Sequence, residues 1–322
     1  MRVAKVTAYG GVENIVFDEV PMPVPAKGCI LVKVFAAPVT AGDARIRSGR
    51  VPRGFGLILR LVFGWNAPRS PVQGWSFSGE VAALGADVTA FAPGQRVFGI
   101  SGVKGGAHGD YVCVPAERVM PLPEAMSHEE GAAFFFGGLT ASSFLLDNAD
   151  LKPGQRVLVN GATGSVGSAA VQIAASKGAK VSAVCSAANR DLAQRLGAEA
   201  VFDYRTEAVT GEYDLILDVI GTLPWPKAEP HLLPGGRLLL VSGDLLAGIG
   251  AALRPKRSLG RHVAALVSSE ARANMDRLLA LYRAGHYRPL VGEVFAFDDI
   301  RAAHAKAETF SKPGNTILKI AA

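Results

Sequence analysis

A glycine-rich turn between two regular segments constrains this sequence more than any other feature. The apolar run Val157–Val159 has the composition of a buried parallel strand, and Val166–Ser176 has that of a helix. Residues 162–167 between them form the pattern Ala-x-Gly-x-x-Gly. Small residues there let the backbone approach a pyrophosphate, whose charge the N–H groups at the helix start can face. Because a second strand follows at Lys180–Cys185, the sequence predicts a dinucleotide-binding βαβ unit.

The end of that second strand bears on which dinucleotide binds. NAD sites usually place an acid about 20 residues beyond the glycines, whereas a 2′-phosphate needs that acid absent and a cation nearby. Here the strand ends at Ser186, and the next charged residue is Arg190. This pattern favours NADPH. The alternative is that Ser186 caps the helix 189–196 while Arg190 is a solvated surface charge.

Length, composition and charge exclude several classes of protein. The 322 residues fit two domains, and 49% hydrophobic with 19% charged residues indicates a well-packed chain. The net charge of +6 is spread without an aromatic-interleaved basic motif, so no nucleic-acid partner is expected. No apolar run approaches the ~18 residues of a membrane span, and no signal-peptide core is present. No membrane partner is therefore expected. The three widely spaced cysteines favour reduced thiols, which indicates a cytoplasmic protein.

Two regions differ in their pattern of secondary structure. Residues 1–122 contain short strands punctuated by Gly and Pro, which predicts an antiparallel barrel. Residues 123–287 alternate strands with helices, which predicts a doubly wound parallel sheet and a nucleotide-binding domain. An apolar helix over 134–147 is expected to be broken at Gly137-Gly138. Residues 288–322 return to strand patterns and are expected to rejoin the first domain. The predicted fold class is α/β.

An apolar stretch over 55–65 interrupts the strand pattern of the first region. It is either a segment that covers the core or the wall of a substrate site. In the second case Phe55, Ile58 and Trp65 would form a pocket for a flat hydrophobic acceptor.

From end to end the chain resembles the medium-chain dehydrogenase/reductase superfamily, specifically its zinc-free quinone oxidoreductase (zeta-crystallin-like) branch. The segments that carry the resemblance are 5–10, 39–49, 74–81, 93–99, 110–112, 139–141, 161–167 and 316–320. The resemblance implies a GroES-like barrel rejoined by the C-terminal tail, a Rossmann domain, and an active site in the cleft. It also implies a small hydrophobic carbonyl or quinone substrate and pairing of two chains into a homodimer.

The positions that correspond to zinc ligands indicate which chemistry remains. Zinc-dependent members carry a Cys soon after the strand that ends near Val39, and Gly-His-Glu where this chain has Gly74-Trp75-Ser76. No Cys or His occupies these positions, so no metal is expected. Without a Lewis acid to stabilise an alkoxide, the resemblance implies hydride transfer to a quinone or an α,β-unsaturated carbonyl compound.

The resemblance also assigns residues to the cofactor. They are, beside Ala162 in the turn, Gly164, Ser165 and Val166 at the pyrophosphate; Ser186, Arg190 and Tyr204 at the 2′-phosphate; and Thr140, Gly221, Val241 and Ser242 near the nicotinamide and its ribose. Alternatives remain open for three of them. Tyr204 would also suit a sheet edge, Thr140 a bond to its own helix backbone, and Gly221 the end of a strand.

The proton donor is not assigned by the sequence. The branch usually has Asn where this chain has Thr40, and an aromatic residue where it has His108. Thr40 and His108 are the two catalytic candidates, although a loop histidine in solvent is the simpler interpretation of His108. Asp43 is better explained as a helix cap than as an acid catalyst. A rival function is an NADPH-binding sensor or partner protein with little turnover.

Overall fold

Two units make up the chain in the computed structural model, which describes residues 1–50, 56–242, 262–265, 270–309 and 312–321, without the side chains of 58, 59 and 262–265. The first unit runs to Phe136 and resumes at Pro289, and the second lies between, from Gly137 to Arg288.

Strands dominate the first unit and alternate with helices in the second. Across the described residues the strands are, in chain order, β1 Arg2–Val6, β2 Ile15–Glu19, β3 Cys29–Val39, β4 Ser76–Leu84, β5 Arg96–Ile100, β6 Tyr111–Pro115, β7 Val119–Pro121, β8 Arg156–Asn160, β9 Lys180–Cys185, β10 Ala200–Asp203, β11 Tyr213–Asp218, β12 Leu232–Leu240, β13 His262–Ala265, β14 Val291–Ala296 and β15 Asn315–Lys319. The α-helices are, in the same order, α1 Ala41–Ser48, α2 Gly56–Phe63, α3 His128–Ser142, α4 Ser165–Ser176, α5 Arg190–Arg195, α6 Trp225–Ala228, α7 Arg272–Arg283 and α8 Ile300–Ala307.

Strand β3 organises the first unit. It pairs antiparallel with β4, β6 and β15, inside a sheet of order β14-β15-β3-β4-β5-β7. Its alternate residues Ile30, Val32 and Val34 are fully buried and form a core with Phe77 of β4. The pairing of β15 with β3 joins the C-terminal segment to this sheet, as expected of a GroES-like domain that the tail rejoins.

The first unit extends beyond residue 122, where the strand pattern of the sequence ends. The start of α3 packs on this unit, because the rings of Phe134 and Phe135 contact Phe98 of β5 at centroid distances of 5.2 and 4.8 Å. Aromatic burial therefore places the boundary between the units within α3, after Phe136. Sequence patterns change where helices begin, whereas packing decides which unit a helix belongs to.

Helix α3 is continuous through Gly137-Gly138, so the expected break is wrong. Both glycines instead allow close packing inside the second unit. A Cβ atom on Gly137 would lie 2.2 Å from the carbonyl oxygen of Ser165, and one on Gly138 would lie 2.8 Å from the hydroxyl of Tyr287. A π-helical turn at 143–148 then ends the helix.

The second unit contains a parallel sheet of order β10-β9-β8-β11-β12-β13. Strand β8 lies between β9 and β11, and the order reverses there. A crevice for a ligand forms at the carboxyl ends of strands at such a reversal. The predicted Rossmann sheet is thus confirmed. Within the described ranges, no helix combines the length and the apolar character needed to span a bilayer.

Candidate functional site

The glycine-rich turn after β8 is open on its outer side and tightly closed on its inner side. Gly164 is the N-cap of α4 and has no side chain to cap the helix, and a Cβ atom there would meet only the oxygen of Gly161, at 3.7 Å. A Cβ atom on Gly167 would lie 2.0 Å from that same oxygen. The helix start therefore stands beside open space, where a pyrophosphate fits, while the helix packs directly on the turn.

A buried polar network fixes the neighbouring loop after β11. The carboxylate of Asp218, which is fully buried, accepts hydrogen bonds from the side-chain amide of Asn160 at 2.8 Å and the N–H of Gly221 at 2.9 Å. Its other oxygen accepts the N–H of Leu223 at 2.9 Å. Three donors stabilise the buried charge and hold the two strand ends together. The sequence analysis missed this network. A signal was visible, because Asn160 and Asp218 are polar residues at the ends of two apolar strands, β8 and β11.

The residues assigned to the nicotinamide half of the cofactor lie around these strand ends. Gly221 adopts φ +88°, and a Cβ atom there would lie 2.5 Å from the carbonyl oxygen of Ser242. The N–H of Val241 donates to the carbonyl of Asp218 at 3.0 Å. Thr140 lies one turn after the Gly137 contact with the α4 start and shares its helix face.

The turn residues assigned to the pyrophosphate occupy the expected elements. Ala162 is fully buried under the turn, and Ser165 and Val166 form the first positions of α4. Ser165 and Val166 thus place their backbone N–H groups in the first turn of α4, directly after Gly164.

The residues assigned to the 2′-phosphate lie at the ends of β9 and β10. Ser186 follows β9, and the N–H of Tyr204 donates to the carbonyl of Cys185 at 3.2 Å, so the two strand ends adjoin. Tyr204 is 52% exposed. Ser186 makes no side-chain cap bond to the following turn, so the capping alternative does not describe it.

Arg190 is not a free surface charge. Its guanidinium donates to both oxygens of Glu207 at 2.8 Å and to the carbonyl of Val201 at 2.7 Å. Glu207 also accepts the N–H of Asp203, and this bond, together with Arg190, lowers the pKa of Glu207. The sequence analysis missed Glu207 because it lies well beyond the end of β9 in the sequence.

A cavity of about 280 Å³ lies within the first unit. Apolar and aromatic side chains form much of its wall: Val62, Phe63, Trp75, Val103 and Phe136. The rings of Trp75 and Phe136 meet edge to face at 5.7 Å. Such walls suit a flat, mostly apolar molecule, and the volume is at the small end of ligand pockets.

Thr40 and Asp43 line this cavity and bond each other. Thr40 is the N-cap of α1: its Oγ1 accepts the N–H of Asp43 at 3.1 Å and donates to Asp43 Oδ2 at 2.6 Å. Asp43 also accepts the N–H groups of Thr40 at 2.8 Å and Gly74 at 3.1 Å. The hydroxyl hydrogen of Thr40 is therefore already donated to a carboxylate. The sequence analysis expected Asp43 itself to be the helix cap, whereas Thr40 is the N-cap and Asp43, three residues later, completes the capping box.

His108 neither lines the cavity nor faces solvent, so neither sequence interpretation describes it. It is 1% exposed, its Nε2 lies 3.0 Å from the carbonyl oxygen of Pro38, and its ring packs edge to face on His304. A Cβ atom on Gly74 would touch the His108 ring at 2.7 Å, so close backbone packing encloses it.

The predicted pocket residues are placed differently from the expectation. Phe55 and the side chain of Ile58 lie outside the described residues, although 58 is in α2. Trp65 is 63% exposed and does not line the cavity. Val62 and Phe63, at the end of α2, line the cavity instead, and Trp75 is the tryptophan in its wall. A helix presents only one face to a cavity, and a linear apolar stretch does not reveal which.

Known proteins match the chain over both units. The model of the alcohol dehydrogenase GroES-like domain matches residues 26–124, and that of zinc-binding dehydrogenases matches 196–318. The chloroplastic quinone-oxidoreductase homolog of Spinacia oleracea is 31% identical, over 74% of each chain. The mitochondrial NAD(P)H oxidoreductase RTN4IP1 of Danio rerio is 30% identical, over 77% of this chain and 72% of its own. The quinone oxidoreductase structure from Coxiella burnetii superposes with a TM-score of 0.86 at 26% identity, over 100% and 99%.

This chain belongs to the medium-chain dehydrogenase/reductase superfamily. Within it, the chain falls in the quinone oxidoreductase branch. It is thus a member of an oxidoreductase family whose cofactor is a nicotinamide dinucleotide.

The wall of the cavity offers few side chains that could bind a metal ion. Among the described residues, no group of three or more His, Cys, Asp or Glu side chains could hold a metal ion. Asp43 is the one carboxylate among the described residues of the cavity wall, and Gly74 and Thr40 already donate to it.

Proposed function

We propose that this protein is a zinc-independent, NADPH-dependent oxidoreductase that transfers hydride to a quinone or to the β-carbon of an α,β-unsaturated carbonyl compound. The observation that carries the proposal is the cavity wall. Aromatic and aliphatic side chains form much of it, and its carboxylate already accepts hydrogen bonds from three donors. A wall without a ligand set for Zn²⁺ favours an acceptor that spreads the developing charge over its own conjugated system.

The turn after β8 would hold the pyrophosphate of NADPH. The uncapped helix start at Gly164 fits that group, and Gly221 and Ser242 would border the nicotinamide ribose. When bound, NADPH supplies the hydride. The 2′-phosphate would be held by Ser186, Tyr204 and Arg190. The guanidinium of Arg190 would then donate one of its N–H groups to the phosphate oxygens instead of to Glu207.

The residues of the cavity would position the acceptor and exclude water. Trp75 and Phe136 offer ring faces and edges to a flat molecule, which places it without a covalent step. Thr40 would act as a hydrogen-bond acceptor, because its hydrogen is donated to Asp43. We therefore assign the proton that completes enone reduction to water, and the role of Thr40 to holding α1 at the wall.

Consumption of NADPH by the purified protein tests this proposal. Absorbance at 340 nm is followed with 1,4-naphthoquinone and with benzylideneacetone, each against a reaction without acceptor. Acceptor-dependent oxidation is expected with at least one of them. Tight NADPH binding without turnover of either class would instead support the sensor or partner protein.

The remaining assignments stay predictions. Relatives carry chloroplastic and mitochondrial names, so the cytoplasm rests on the sequence alone. A homodimer, tested by sedimentation of the purified protein, likewise rests on the family resemblance.

A further inference from the structure

Two cations lie on the wall of the cavity, beside its apolar and aromatic side chains. Arg69 follows α2, and Lys104 lies in the short turn after β5; both line the cavity and both are exposed. Neither has an acidic partner among the residues that the structure describes, in contrast to Arg190 or Arg47. A cation that borders an aromatic cavity without a counter-ion attracts an anionic group of whatever enters the cavity.

The segments that carry these cations are held in place by backbone hydrogen bonds. The N–H of Arg69 donates to the carbonyl of Phe63 at 2.5 Å. The turn that carries Lys104 is closed by the N–H of Gly105, which donates to Gly102 at 3.0 Å. Ser101 at its start donates to the carbonyl of Gly74 at 2.6 Å. Both side chains therefore start from fixed points of the wall, so less ordering is needed when a ligand binds.

The negative charge within the cavity wall does not cancel these cations. The carboxylate of Asp43 already accepts the two N–H groups and the hydroxyl described above. Three of the roughly four acceptor sites of this carboxylate are therefore occupied, and its single negative charge is outnumbered by the two cations Arg69 and Lys104. The described wall thus carries one internally satisfied anion and two available cations.

We propose that Arg69 and Lys104 select acceptors that carry an acidic group, such as a carboxylate, sulfonate or phosphate, beside the reducible conjugated system. This inference rests on the proposed reductase function and adds the substrate class to it. The conjugated part would lie against Trp75 and Phe136, and the acidic group would face the two cations.

A pair of acceptors that differ only by an acidic group tests the proposal. The pair is 1,4-naphthoquinone and 1,4-naphthoquinone-2-sulfonate, with benzylideneacetone and its 4-carboxylate as a second pair. The variants are Arg69→Gln, Lys104→Gln and the double variant. Arg60→Gln is the matched control, because Arg60 lies on α2 but bonds the carbonyl of Trp65, stacks on Tyr9 and does not line the cavity.

The expected readout is a change in the ratio of kcat/KM for the anionic acceptor over the neutral one. Because partly exposed ion pairs are weak, each single variant should lower this ratio about threefold and the double variant about tenfold. Arg60→Gln should leave it unchanged, and 0.5 M KCl should reduce it in the wild type. An equal loss for both acceptors, or a raised KM for NADPH instead, would overturn the proposal.

Quenching of tryptophan fluorescence by the quinones separates this proposal from the proposed function. If the wild type reduces neither acceptor, the reductase assignment fails. Tighter binding of the sulfonate that is lost in the double variant would still support the anion-selective cavity. Equal binding of both quinones by wild type and variant would contradict it.

Discussion

The turn after β8 and the cavity of the first unit represent two ways of building a binding site. The turn is made of backbone: at Gly164 and Gly167 the absence of a side chain creates the space and the packing. The cavity is made of side chains from segments far apart in sequence, such as Thr40, Phe63 and Phe136. A site made of backbone is written in a short motif, whereas a site made of side chains depends on the fold that assembles it.

The sharpest test of a backbone-built site is to add one carbon to it. Gly167→Ala should lower the free energy of unfolding by about 3 kcal/mol, because the new Cβ atom would meet the Gly161 oxygen and the Ala162 Cα, neither of which can move easily. Denaturant unfolding followed by circular dichroism measures this.

Gly164→Ala is the matched control for the same turn. Its Cβ atom would meet no atom closer than 3.7 Å, so the free energy of unfolding should stay the same. The affinity for NADPH should fall about tenfold, because the Cβ atom would enter the open space proposed for the pyrophosphate. If both variants unfold equally, the distinction between the open and closed sides of the turn is wrong.

Removing a buried carboxylate should damage the wall of the cavity. Asp43→Ala leaves the N–H groups of Thr40 and Gly74 without their acceptor, and should cost about 2 kcal/mol of stability. Chemical denaturation measures the loss, and Glu117→Ala at an exposed position serves as control. An unchanged free energy of unfolding in Asp43→Ala would show that the capping box does not stabilise the cavity wall.

Beneath the cavity wall, His304 gives the first unit its own pH dependence. It is 1% exposed, its Nδ1 has no hydrogen-bond partner among the residues that the structure describes, and burial lowers its pKa well below the ordinary value. Arg47, His108 and Lys312 add to this shift. Because the unfolded chain binds the proton below about pH 6.5 and the folded chain does not, stability should fall as pH decreases from there, by about 1.4 kcal/mol per pH unit.

The slope of stability against pH is the measurement, and His304→Phe should reduce it. His286→Gln, at an exposed position, should leave the slope unchanged. An unchanged slope in His304→Phe would show that other groups cause the acid sensitivity.

The smallest predicted effect concerns the pair Arg190 and Glu207. Glu207→Gln should raise NADPH affinity about threefold, because the bidentate partner of the guanidinium loses its charge. Arg190→Ala should lower it, and NADH affinity should respond to neither change. Fluorescence titration with both cofactors measures this, with Asp191→Asn on α5 as control. A preference for NADH in the wild type would contradict the assignment of Ser186 and Arg190.

The sequence predicted the parts of the molecule that depend on local rules. The parallel sheet of the second unit follows from the alternation of strands and helices, and the turn follows from its glycines. The cavity did not follow, because Trp65 and Trp75 have the same apolar character in the sequence, and only the folded chain exposes Trp65 and places Trp75 in the cavity wall. The pairing of Arg190 with Glu207 crosses two elements, and no local pattern marks it.

Helix α3 shows that local propensity can also give a wrong prediction. Glycines are poor helix formers, so a break at Gly137-Gly138 was the natural expectation. Close contacts with Ser165 and Tyr287, which no side chain would permit, explain why the helix continues. Tertiary packing outweighs local propensity at these two positions.

Turnover by metal-free protein tests the central claim most directly. Protein dialysed against a chelator, with zinc content checked by atomic emission, is assayed for NADPH oxidation with 1,4-naphthoquinone. An unchanged rate is expected with less than about 0.1 zinc per chain, because the described residues of the cavity wall lack a ligand set for Zn²⁺. Loss of activity in the chelated protein, restored by Zn²⁺, would contradict it.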